Sequence, residues 1–123
     1  MKYRVAVAST DSVVVNQHFG RADKFLIAEI DTEKETYHFL DPRNVQPCCN
    51  GFDHEESSFD AVLNVLEDVQ AIFVSKIGAG AAGYLESKGM ITYEAPYMIN
   101  DVLDKLIETR TWEADQWRSH LKN

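Results

Sequence analysis

The chain has 123 residues, 45% hydrophobic and 26% charged, with a formal net charge of −8 at pH 7. That length suits one folded domain with a real core, and 12 basic residues with none in a run exclude the clustered cations that nucleic-acid binding uses. No apolar run approaches the ~20 residues of a bilayer span, and Met1-Lys2-Tyr3-Arg4-Val5 enters a strand pattern without a signal-peptide core, so a cytoplasmic protein with no membrane partner is expected.

Tyr3 to Ser9 alternates and is rich in Val, which predicts a first strand, and residues 10–23 read as a long polar loop. Lys24 to Ile30 is a second strand, Asp31 to Lys34 a turn, and Thr36 to Leu40 a third strand. So short a connection makes strands two and three antiparallel neighbours. Pro42 to Gly51 is a second irregular loop, holding Pro47, Cys48 and Cys49.

Asp53 and Glu56 resemble a capping box. Phe59, Val62, Leu63, Leu66 and Val69 then follow helical spacing, predicting a helix near 54–68. Gln70 to Ile77 is nearly continuous apolar sequence, as in a strand covered on both faces. Gly78 to Gly83 opens a small-residue helix to about Lys88, which Gly89 stops. Met90 to Glu94 is a short strand, Pro96 breaks the chain and Asn100 offers a cap. Val102, Leu103, Leu106 and Ile107 mark a last amphipathic helix. Residues 1–108 therefore form a single α/β domain. Residues 109–123 are a tail whose Trp112 and Trp117 either dock on it or serve a partner contact.

The order β-β-β-α-β-α-β-α fixes strand directions. The crossover helix makes strand four parallel to strand three, and a meander of strands one to three makes strand one parallel to both. The loops after strands one (His18, Arg21), three (Cys48, Cys49, His54) and four (Gly78, Gly80) then leave the same carboxyl edge, where open α/β sheets bind ligands.

The chemistry of that edge is specific. His18 offers a nitrogen to a metal, Arg21 offers fixed positive charge, and Gly20 permits a positive φ or a close approach to a ligand. An anionic, metal-containing species suits these groups, against the bland alternative of a surface histidine beside a turn glycine. Cys48 and Cys49 are adjacent, so they cannot staple distant segments, and at most one is expected to meet a cluster. No closed CxxC-type zinc site is visible. His54 reads as a surface or capping residue, and His38 and His120 carry no assigned role.

Gly78-Ala79-Gly80-Ala81-Ala82-Gly83 matches G-x-G-x-x-G literally, after a strand and at the start of a helix. Against a dinucleotide site stand a short helix, the absence of a second mononucleotide half, and the spacing of Glu94, which follows too soon after Gly83. The glycines fit better as a close approach of the helix N-terminus to an anion, or as close packing of helix on sheet. No Ser-His-Asp pattern or nucleophile elbow can be read, and strand one (Val5, Ala6, Val7, Ala8) carries no carboxylate for a two-metal site.

Val15-x-x-His18-Phe19-Gly20-x-Ala22-x-x-Phe25, the Pro47-Cys48-Cys49 loop, and Ser75-Lys76-Ile77-Gly78 with Leu85…Lys88-Gly89-Met90 resemble the dinitrogenase iron–molybdenum cofactor biosynthesis family. That family includes the nitrogen-fixation X and Y proteins, the cofactor-carrier domain of the gamma protein and the C-terminal domain of the B protein. The similarity spans roughly residues 3 to 108 and implies a ribonuclease H-like α/β fold, a five-stranded mixed sheet of order 3-2-1-4-5 flanked by helices.

It also implies a non-enzymatic carrier of the iron–molybdenum cofactor or its iron–sulfur precursor, meeting cofactor-synthesis or nitrogenase assembly proteins. The family's cofactor-binding histidine maps onto His18. In this reading Cys48 or Cys49 supplies a second metal contact, and Arg21, Lys76 and the amides near Gly78 and Gly80 offset cluster charge. The alternatives are a nucleotide-dependent enzyme using the Gly78–Gly83 loop and a regulatory module acting through the Trp-bearing tail.

Overall fold

The computed structural model describes residues 2–46 and 56–114. Pro47, Cys48, Cys49, Asp53, His54, Trp117 and His120 lie outside the described residues, and with them the expected capping box and both thiols. The elements are β1 (Lys2–Ala8), β2 (Lys24–Asp31), β3 (Thr36–Asn44), α1 (Glu56–Val65), β4 (Ala71–Val74), α2 (Ala79–Ser87), β5 (Ile91–Glu94) and α3 (Ile99–Thr109), with a 3-10 turn at Phe19–Arg21.

The five strands form one sheet in the order β3-β2-β1-β4-β5. β2 is antiparallel to β1 and β3, whereas β1 with β4 and β4 with β5 run parallel. The directions are those expected from the element order, and the strand order is the one the family resemblance implies. Alternation along β1 and β2 divides the core between two faces. Ala6, Ala8, Phe25, Ile27, Ile72 and Val74 pack under Phe59, Val62 and Leu66 of the α1 region and Leu85 of α2. Tyr3, Val5, Val7, Ala28, Ile30 and Phe73 pack under Ile99, Val102, Leu103 and Leu106 of α3. All four residues of β4 are buried, as a central parallel strand requires.

The structure revises several expectations. β3 runs on to Asn44, past Pro42, because it is an edge strand with one hydrogen-bonded neighbour. Its pairing shifts between Phe25–Arg43 and Ile27–Leu40, a bulge that accommodates the proline. β4 stops at Val74, so Ser75 to Ile77 leave the sheet. α1 ends at Val65. Asn100 does not cap α3, since Met98 is the N-cap and makes no side-chain capping bond.

Trp112 docks. It is 2% exposed, packs on Tyr3 with ring centroids 6.3 Å apart, and lies under the Arg110 guanidinium at 5.1 Å. Arg110, in the left-handed region at φ 51°, turns the chain back after α3 and makes this return possible.

Candidate functional site

The connection from β1 to β2 is shaped by its own polar groups. Asp11 Oδ1 accepts from Val13 N–H at 2.9 Å, Val14 N–H at 3.0 Å and the Ser9 hydroxyl at 3.1 Å. The Val14 and Val13 amides hold the Asp11 carboxyl below its ordinary range. Val15 N–H then donates to Tyr97 O at 2.9 Å, and Ile99 N–H to Val13 O at 2.8 Å, fastening the loop to the chain beyond β5.

Past that stitch the loop runs beside the continuation of β4. Ser75 N–H donates to Gln17 O at 3.0 Å and Phe19 N–H to Lys76 O at 2.9 Å, making a parallel bridge between His18 and Lys76. Phe19, 3% exposed, anchors the 3-10 turn. His18 precedes that turn on extended backbone (φ −70°, ψ 147°), so its ring and the Arg21 side chain stay at the surface. Gly20 sits inside the turn without a positive φ, so its backbone conformation does not require glycine.

A groove of about 860 Å³ lies between this turn and the first half of α2. His18, Gly20, Arg21, Lys76, Gly78 and Gly80 all line it, so the described candidates from the sequence meet in one place. An apolar wall closes the other side. Phe19 and Phe59 have ring centroids 6.0 Å apart, Phe59 and Tyr84 5.7 Å, and Tyr84 Oη donates to Asp60 Oδ1 at 2.7 Å. Val45 N–H donates to Asp23 O at 2.9 Å, so the chain leaving β3 passes the foot of the same loop.

Among the described residues the charges of the groove have no ion-pair partner. Three of the four described arginines are ion-paired: Arg4 with Glu29 and Asp68, Arg43 with Asp68, and Arg110 with Glu35 and Glu113. Arg21 is the exception, and neither its guanidinium, the Lys76 ammonium nor the His18 ring has a hydrogen-bond or ion-pair partner among the described residues. α2 adds to this field. Its N-cap, Gly78, supplies no side-chain acceptor and its first turn holds no acidic residue, which leaves the helix amides and positive dipole end facing the groove. Such an end accepts anions.

The glycines support the same conclusion. A Cβ on Gly78, Gly80 or Gly83 would meet nothing within 4 Å, and their φ values are not positive. Close helix–sheet packing therefore does not explain them, contrary to one expectation from the sequence. A side chain at these positions would protrude into the groove itself. Among the described residues no group of three or more His, Cys, Asp or Glu could hold a metal ion. A metal-bearing ligand at this face would thus rest on one described nitrogen, two cations and backbone amides.

Phe59, Tyr84 and Glu94 belong to the site or its support without having been assigned there from sequence. Tyr84 is four residues after Gly80, on the same helix face, which is the signal that could have found it. Glu94, which follows Gly83 too soon for a dinucleotide site, accepts from Ile77 N–H at 2.9 Å.

Comparison with known proteins gives a consistent result. The profile of the family described as "Dinitrogenase iron-molybdenum cofactor" matches residues 1–109. The FeMo cofactor biosynthesis protein NifB of Frankia alni is 38% identical over 106 residues, 84% of this chain and 20% of that protein. NifB of Chlorobaculum tepidum is 33% identical over 86 residues, 70% of this chain and 19% of that protein. The chain thus spans about a fifth of the length of these curated relatives. Among solved structures, PH0822 superposes with a TM-score of 0.62 at 23% identity, covering 86% of this chain and 90% of that one. MJ0327 of Methanocaldococcus jannaschii does so with 0.54 at 19% identity, covering 89% and 91%. These likenesses show the fold.

Proposed function

The chain belongs to the dinitrogenase iron-molybdenum cofactor family, and on that premise we propose that it is a non-enzymatic carrier of the iron–molybdenum cofactor or its iron–sulfur precursor. One observation carries the reading: the side chains of His18, Arg21 and Lys76 have no partner among the described residues, and they stand around a groove whose far side is the uncapped, glycine-lined start of α2. His18 ligates a cluster metal through a ring nitrogen. Arg21, Lys76 and the first amides of α2 offset the negative charge of the cluster. Cys48 or Cys49 supplies a thiolate as second ligand, and the Phe19–Phe59–Tyr84 wall packs against weakly hydrated sulfide faces.

A carrier must release what it binds. Few ligands on an open, exposed face suit release better than a closed set of four. The donor and acceptor are then other proteins of cofactor synthesis or nitrogenase assembly, and the setting is the cytoplasm. Among the described residues no helix is long and apolar enough to cross a membrane. We also assign the sheet order, with β2 antiparallel within it, to the ribonuclease H-like class. The nucleotide alternative loses ground because Glu94 does not line the groove and its Oε1 accepts from Ile77 N–H.

Anaerobic titration with isolated iron–molybdenum cofactor, followed by absorbance and EPR, tests the proposal. The expected result is saturable binding that His18→Ala weakens at least about tenfold, the scale of one lost charge-assisted or ligand contact. Absence of binding by the unaltered chain would refute the function, and unchanged affinity in His18→Ala would refute the role of that residue.

A further inference from the structure

We infer that Glu94 is the positioning residue of the groove, holding the Lys76–Gly78 turn so that His18, Lys76 and the start of α2 face one ligand. Glu94 ends β5, opposite Val74 in the parallel register, and Ala95 N–H is fastened to Val74 O at 2.8 Å. From there its carboxylate reaches forward along the continuation of β4 and accepts from Ile77 N–H at 2.9 Å. Ile77 directly follows Lys76 and directly precedes Gly78, the N-cap of α2.

The consequence passes down the chain through hydrogen bonds. The Lys76 carbonyl accepts Phe19 N–H at 2.9 Å, which is the bond that sets His18 beside Lys76. Fixing Ile77 therefore fixes the peptide whose carbonyl holds the His18 turn. Ser75 to Gly78 have left the sheet, so the ladder no longer restrains them. A carboxylate is the stronger acceptor for an amide that the helix itself cannot satisfy. It is also an odd charge to keep beside an anion site, since it competes for the same positive helix end. The Glu94 side chain does not line the groove, so it shapes the site from behind without touching the ligand.

Glutamine separates the two effects, because Glu94→Gln keeps an acceptor oxygen and removes the charge. Amide hydrogen exchange by NMR reads the first effect without any ligand. In Glu94→Ala, exchange at Ile77 and Phe19 should accelerate about tenfold or more while Val5 and Ile27 in the sheet keep their protection. In Glu94→Gln, Ile77 and Phe19 should stay within about threefold of the unaltered chain. If Glu94→Ala does not fold, Glu94→Asp, which withdraws the oxygens by one methylene, takes its place in the same comparison. Unaltered protection of Phe19 in the alanine or aspartate chain, or equal loss in the glutamine chain, would overturn the inference.

This role rests on the carrier reading for its purpose. Isolated iron–molybdenum cofactor should bind Glu94→Ala more weakly than the unaltered chain, and Glu94→Gln as tightly or more tightly. If no chain binds cofactor while the exchange pattern holds, the carrier reading fails and the positioning role stands. If the unaltered chain binds but Phe19 protection ignores Glu94, the positioning role fails alone.

Discussion

At Gly80 chain stability and the proposed ligand binding should pull apart. It sits in the first turn of α2 on ordinary helical backbone, and a Cβ there would meet no protein atom within 4 Å. Alanine is the better helix former, so Gly80→Ala should leave the fold intact and raise stability by about 0.5 kcal/mol. The same methyl group would enter the groove and weaken cofactor binding. Urea unfolding and anaerobic titration of one variant check both halves, and a variant that loses neither binding nor gains stability would contradict them. Gly89 is the opposite case. Its φ of +91° closes a Schellman end in which Met90 N–H donates to Leu85 O and Gly89 N–H to Glu86 O. The sequence marked both positions as glycine. It could not separate a glycine needed by the backbone from one that borders open space, because that depends on φ and on neighbouring atoms.

At the scale of elements, Trp112, just after α3, is part of the core. Trp112 closes the α3 face over Tyr3, so Trp112→Ala should cost about 3 kcal/mol in chemical denaturation, as large-to-small changes in packed cores do. A cost under about 0.5 kcal/mol, the range of surface substitutions, would mean that the ring is not packed there. The elements themselves were largely legible, since alternation in β1 and β2, the Asp31–Lys34 turn and the 3.6-residue spacing of α1 and α3 are local signals. What was not legible depended on tertiary position. Pro42 stays in β3 because that strand is an edge, and Trp112 returns because Arg110 takes a left-handed conformation that the sequence does not announce. Ser75 to Ile77 read as strand from their apolar run, yet they lie beyond β4, where Lys76 and Ile77 line the groove and Ser75 N–H and Lys76 O hold the His18 turn.

Across the whole molecule, topology brings the site together and a charge chain ties the strands. Arg43 forks onto Asp68 at 2.5 and 2.9 Å, Asp68 also takes Arg4 at 2.6 Å, and Arg4 Nε donates to Glu29 at 2.7 Å. Arg43 and Arg4 hold the Asp68 carboxyl well below the ordinary carboxylate range, and Arg4 lowers Glu29. Asp31 is lowered to about 2, first by Lys34 N–H and then by the Lys2 ammonium. These folded-state values lie below the unfolded ones near 4, so their stabilisation is complete above about pH 5 and is lost as pH falls from about 4 towards 2. Urea midpoints should therefore be level from neutrality to about pH 5 and drop steeply below pH 4, and Asp68→Asn with Asp31→Asn should flatten that drop. An equally steep acid slope in the double variant would place the linkage elsewhere.

Strand direction alone predicted that the loops after β1 and β4 share an edge, and the His18–Lys76 bridge realises it. The aromatic wall and the Glu94 tie depend on tertiary packing: Phe59 read as one residue of an apolar helix face, and no sequence pattern singled out Tyr84. The central claim is that the groove holds a metal cluster through His18. Electron–nuclear double resonance on chain labelled with nitrogen-15 histidine and loaded anaerobically with iron–molybdenum cofactor tests it most directly. The account predicts a histidine nitrogen coupling to the bound cluster that disappears in His18→Ala while a His38→Ala chain retains it. A coupling that survives in His18→Ala, or tight binding with no histidine coupling at all, would contradict it.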